Sequence, residues 1–117
     1  MDEILELAAQ LGKRIAADPR GKQMAAAQAA LDGSLRDRQL LQDYETQQQH
    51  IHSLEMSGKP IEPEDKRKLA DLHGQVIGST VIKSLLKAQA DYVELMTLVS
   101  QRIEDAAFGA LQPAERD

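Results

Sequence analysis

The chain has no cysteine and no tryptophan, and its only aromatics are Tyr44, Tyr92 and Phe108. Without thiols there is no disulfide scaffold, no thiolate zinc site and no cysteine-ligated iron–sulfur cluster. With three aromatics, the core must be built from Leu, Ile, Val, Met and Ala. No apolar run approaches the roughly 20 residues that span a bilayer. The start, MDEILELAAQ, is acidic, so neither a signal peptide nor a transit peptide is expected. A net charge of -5 lacks the basic footprint of a nucleic-acid binder, and no direct nucleic-acid binding is expected.

What is present is a helix-forming composition. Ala, Gln, Leu, Glu, Lys and Arg dominate the 117 residues, a length suited to one domain. A monomer of this size buries roughly 65% of its unfolded surface. Few large side chains are available to fill that core, so an elongated protein that completes it by self-association is expected.

Hydrophobic spacing and breakers divide the chain into five helices. The first covers 2–17, with Ile4, Ala8, Leu11 and Ile15 on one stripe and Asp2 and Glu3 in the first turn. Pro19 stops it and starts a second over 19–31, with Asp18 as N-cap. That helix carries MAAAQAAL, whose small side chains permit close approach of a neighbour. Gly33 caps its end, and Ser34 caps the start of a third helix over 35–57. Leu40, Tyr44, Gln47, Ile51 and Leu54 form a heptad-like row there. Gln47 is its polar exception, either fixing register or sitting at the seam's edge.

Gly58-Lys59-Pro60 breaks the pattern, and a fourth helix follows over 63–76. Gly74 and Gly78 should weaken its end, and Ser79 or Thr80 should cap a fifth helix over 80–108. That last helix carries the cleanest periodicity: Ile82, Leu85, Gln89, Tyr92, Met96, Val99, Ile103 and Ala106 alternate steps of three and four. Helix 35–57, joined by helix 63–76 or a second copy of the chain, is expected to cover it. Residues 1–108 then form one helical domain and 109–117 a flexible tail.

Catalytic and cofactor patterns fail on inspection. A phosphate-binding loop needs a Gly five residues before its second Gly and Ser or Thr after the Lys. Gly12-Lys13, Gly21-Lys22 and Gly58-Lys59 have Leu7, Ala16 and Ser53 upstream, and Arg14, Gln23 and Pro60 downstream. His50 and His52, two apart on a helix, point to opposite sides. A di-iron bundle needs Glu three residues before His, and the three histidines have Gln47, Gln49 and Ala70 there. They read as solvated surface groups. The acids spread over outer faces, and EPEDKRK reads as a capped helix start with pairs such as Glu64–Lys68. An enzyme is therefore not expected, nor a metal or other cofactor.

The order of these features resembles the YlbF/YmcA family of small bacterial helical proteins. MDEILELAAQLGKRIAADP is similar to the family's first helix and break. AQAALDGSLRDRQLLQDYETQQQHIHSLEMSGKPI is similar to its long Gln/Glu-rich helix and Met-x-Gly-Lys tip, and VIKSLLKAQADYVELMTLVSQRIEDA to its C-terminal helix. The resemblance covers about residues 2–107.

It implies an all-α fold with a long helical hairpin, assembly into dimers or larger oligomers, and a cytoplasmic regulator without catalysis. The best-known members form a complex that acts with an endoribonuclease in RNA maturation and turnover, affecting competence, sporulation and biofilm formation. Implied partners are a second copy, family paralogues and an endoribonuclease. That complex holds iron–sulfur clusters through cysteines, and cluster binding does not carry over to a chain without them.

Two surfaces stand out. One is the seam Ile82, Leu85, Gln89, Tyr92, Met96, Val99 and Ile103. The other is the hairpin tip Gly58, Lys59 and Pro60, a candidate partner contact. A structural self-assembling module without an RNA-processing role is the alternative function. A ligand-binding or catalytic bundle rests only on the histidines and scattered acids.

Overall fold

The structure, a computed structural model, describes residues 2–112. They form five helices: α1 (Glu3–Ala17), α2 (Pro19–Asp32), α3 (Leu35–Met56), α4 (Pro63–Gly78) and α5 (Thr80–Leu111). No strand occurs among the described residues. The molecule is elongated, 63 × 38 × 27 Å.

Local chemistry sets most of the boundaries. The Asp2 carboxylate accepts hydrogen bonds from the Ile4 and Leu5 amides and caps α1. Asp18 serves two helices. Its amide donates to the Arg14 carbonyl at 3.0 Å, closing α1, and its carboxylate accepts from the Arg20 amide at 2.9 Å, opening α2. Its backbone is extended, as the following Pro19 requires. Gly21 lets this corner close: a Cβ there would collide with the Ile15 carbonyl oxygen.

Two helices run further than their spacing predicts. α4 continues through Gly74 to Gly78, because a glycine costs only about 1 kcal/mol in a helix interior and Leu72 and Val76 on either side of Gly74 are buried. α5 continues to Leu111, so residues 109–111 are helical and not part of a tail. Residues 113–117 lie outside the described residues.

The cover of α5 also differs from expectation. α2 packs on α5 more extensively than any other pair of helices meet, and α3 touches α5 least. The alanines of α2 permit this approach, and α3 spends its apolar row on α4. The core lies where α2, the end of α4 and the first half of α5 converge. It comprises Ala27, Leu31, Val76, Ile82, Leu85 and Ala88, flanked by Met24, Leu40, Leu41, Tyr44 and Val81. Burying each Leu, Ile or Val contributes about 1.5–3 kcal/mol, and two of the six central residues are alanine. The core is small for its chain.

Candidate interaction surface

Running antiparallel to α5, α2 ends part-way along it. Ala27 and Leu31 lie in the cluster with Leu85 and Ala88, while Gln23, nearer the start of α2, lines a groove with Asp91. Past this point none of the described residues of α5 is buried. No Cα of α1 comes within 8 Å of one in α5 among the described residues. Exposure along the seam follows directly. Ile82 is 0% exposed and Leu85 is buried. Gln89, Tyr92, Met96 and Val99 are half-buried, and Ile103 is 54% exposed. The sequence reads one continuous stripe, which the structure divides into an intrachain core and an uncovered arm.

α1 is the second uncovered element. It is the most strongly amphipathic of the five helices, yet none of its residues is buried. Ile4, Leu5 and Leu7 are exposed, and Leu11 and Ile15 are half-buried. Sequence reasoning identified the stripe but not its exposure. The only available signal was the Asp18-Pro19 break, which turns α1 away from the line of α2.

The hairpin tip is built by backbone capping. Gly58 adopts φ +70°, a conformation that favours glycine. The Lys59 amide donates to the Leu54 carbonyl at 2.9 Å and the Gly58 amide to the Glu55 carbonyl at 3.2 Å, the paired bonds of a Schellman ending. The three tip residues and the neighbouring Met56 are exposed. The Glu62 amide donates to Asp65 Oδ2 at 3.2 Å, and Pro63 begins α4. Further along, Glu64 pairs with Arg67 at 3.1 Å, not with Lys68.

Polar groups tie the hairpin together behind the tip. Gln47 is 4% exposed and donates to the Asp65 carbonyl at 3.0 Å, placing it inside the α3–α4 contact and not at its edge. His50 Nε2 lies 3.2 Å from Asp65 Oδ1. Tyr44 and His73 are hydrogen-bonded at 3.2 Å, with ring centroids 5.8 Å apart. Two of the three histidines therefore hold cross-hairpin partners, which sequence spacing does not reveal. Tyr44 and His73 also border a groove of about 430 Å³ with Ile51, Ile61, Lys66 and Leu69. Among the described residues no three His, Asp or Glu side chains converge as a metal site.

A third polar cluster joins helix starts. Asp37 accepts from the hydroxyls of Ser34 at 2.6 Å and Ser79 at 2.7 Å. Each serine in turn caps a helix, Ser34 accepting from the Asp37 amide and Ser79 from the Ile82 amide. These hydroxyls, Ser34 first and then Ser79, hold the Asp37 carboxyl below its ordinary pKa.

Five helices, a capped hairpin with a Gly-Lys tip and a long C-terminal helix are thus assembled in the expected order. Residues 4–106 match the family described as Control of competence regulator ComK, YlbF/YmcA. The chain belongs to the YlbF/YmcA family. No curated protein matches it. The YlbF/YmcA match spans nearly all of α1, all of α2 to α4 and α5 as far as residue 106. The family description is that of a regulator. Among the described residues no helix is long and apolar enough to cross a membrane.

Proposed function

We propose that this YlbF/YmcA protein is a non-enzymatic cytoplasmic regulator that acts by binding proteins. Its partners are a second copy of itself, family paralogues and an endoribonuclease whose RNA maturation or turnover it tunes. Development, competence or biofilm pathways lie downstream. The observation that carries this reading is the family match over residues 4–106. The uncovered apolar faces of α1 and distal α5 support it, since a chain that leaves two helix faces open has surface to spend on partners. Hairpin-tip residues Gly58, Lys59 and Pro60 offer a further exposed contact.

Capture of the tagged protein from its host tests the reading. Recovery of a nuclease or a family paralogue is expected, and recovery of neither overturns it. The same open faces favour a second reading, a self-assembling structural module with no nuclease link. RNA half-lives in a deletion strain separate the two: altered decay or processing supports the regulator, and unchanged half-lives support the module.

A further inference from the structure

We infer that the open groove between α3 and α4 seats an amphipathic helix of a different protein, its apolar stripe flanked by an acid on one side and a base on the other. This deepens the partner-binding reading above and rests on it. Two antiparallel helices packed side by side leave a groove that a third helix is shaped to fill. Here the groove is about 430 Å³, the size of a binding cleft. Tyr44 and Glu55 both line it on α3, so it runs about 16 Å, roughly three helical turns.

Its floor is apolar. Ile51, Ile61 and Leu69 are half-buried and line the groove. Ile77, 53% exposed, continues the row, because it stands one turn beyond His73 on the same side of α4. Among the described residues α4 meets only α3 and α5, and α5 packs on its Val76 side, so the row stays uncovered. The α4 wall is also thin. Ala70 lines the groove, and Gly74 follows one turn later, inside the helix. A glycine there costs about 1 kcal/mol, and nothing among the described residues comes within 4 Å to use the room it leaves. A neighbouring backbone can approach closely at this point.

Charge selects the occupant. Glu55 stands on the α3 wall and Lys66 on the α4 wall, and both are exposed. Neither has an ion-pair partner within 4.0 Å among the described residues. Opposite signs on opposite walls favour a helix with its basic flank beside Glu55 and its acidic flank beside Lys66, and oppose the reversed direction. The chain's own exposed α1 does not match this pattern. One flank of its Ile4, Leu11 and Ile15 stripe carries Leu5, Gly12 and Ala16, without charge.

The test uses the full chain in its host, with the photoreactive residue p-benzoylphenylalanine in place of Ala70, in the groove, or of Gln49, on the outer side of α3. Mass spectrometry after irradiation reads the segment captured. From Ala70 the expected adduct is a segment of another protein with apolar residues at steps of three and four and opposite charges on its two flanks. The same adduct should not form from Gln49. Glu55→Lys combined with Lys66→Glu should keep the helical circular dichroism and lower the Ala70 adduct at least tenfold. Exchanging the partner's two flanking charges should restore it. No adduct from Ala70, an adduct with a second copy of this chain, a segment without that pattern, equal capture from Gln49, or indifference to the charge exchange overturns the inference. Capture of a nuclease or paralogue without an Ala70 adduct removes only the groove assignment and leaves the regulator reading standing. An Ala70 adduct of the stated pattern with any other protein does the reverse.

Discussion

The Ser79 hydroxyl donates to Asp37 Oδ1 at 2.7 Å, linking two helix starts 42 residues apart. Ser79 is also the only residue between α4 and α5, and its oxygen caps α5. One side chain thus fixes a corner of the fold and ties it to the start of α3. Ser79→Ala should cost about 1 kcal/mol from the lost cap, a fall of roughly 4–8 °C in Tm for a domain near this size. Thermal unfolding followed by circular dichroism checks it.

Asp37 makes stability depend on acid pH. The serine hydroxyls lower its folded pKa, so the unfolded chain takes up the proton more readily. The stabilisation is therefore complete above the unfolded carboxylate value of about 3.9, and is lost as pH falls from there toward the lower folded value. Asp37→Asn should be less stable than the wild type near pH 6, and the difference should shrink below about pH 4. Unfolding midpoints in denaturant across pH 2.5–6 read this out, and a difference that does not change with pH contradicts it.

The two ends of the α5 seam should respond very unequally to the same substitution. Ile82, with no exposed surface, sits in the core, and Ile82→Ala should cost about 2–5 kcal/mol. Ile103 is exposed, and Ile103→Ala should change the stability of the single chain by no more than about 0.5 kcal/mol. Denaturant unfolding at low protein concentration makes the comparison. Tyr92→Glu, on the half-buried stretch between them, should weaken self-association measured by light scattering, because the charge must be desolvated.

Gln47 holds α3 against α4 through the Asp65 carbonyl. Gln47→Ala leaves a gap in that contact and should cost about 1–3 kcal/mol. Gln47→Glu should be worse at neutral pH, because a carboxylate there would face the carbonyl it now donates to. Chemical denaturation of both variants tests the order.

Glycine matters at two corners. Gly58→Ala must hold a left-handed backbone and should cost about 1 kcal/mol. Gly21→Ala should cost more, because its methyl group meets the backbone oxygen of Ile15 and the α1–α2 corner has to open. Amide exchange should then rise around Ile15–Gly21 and stay unchanged in the α3–α4 hairpin.

Much of this fold is legible along the chain because its causes are local. Asp18, Ser34, Gly58 and Ser79 act on groups within four or five residues of themselves, so their types and spacing mark the ends of helices. Periodicity of three and four marks the apolar face of each helix for the same reason. These determine five helices, a hairpin with a capped tip, and a long last helix with a seam. Where propensity is weak, as at Gly78 and Gly109, local reading ends helices too early.

What an apolar face meets is a different question, and only the tertiary structure answers it. A stripe looks the same whether it is covered by α2, α3 or nothing, because the partner lies tens of residues away. Gln47 reads as an exception in a row until Asp65 arrives opposite it, and Asp37 reads as a surface acid until Ser79 does. By itself the sequence determined the helices, their caps and the sides that avoid water. The tertiary structure decided that α2 covers the first half of α5. It thereby left α1 and the second half of α5 uncovered, because one short alanine-rich helix reaches only part-way along a longer one.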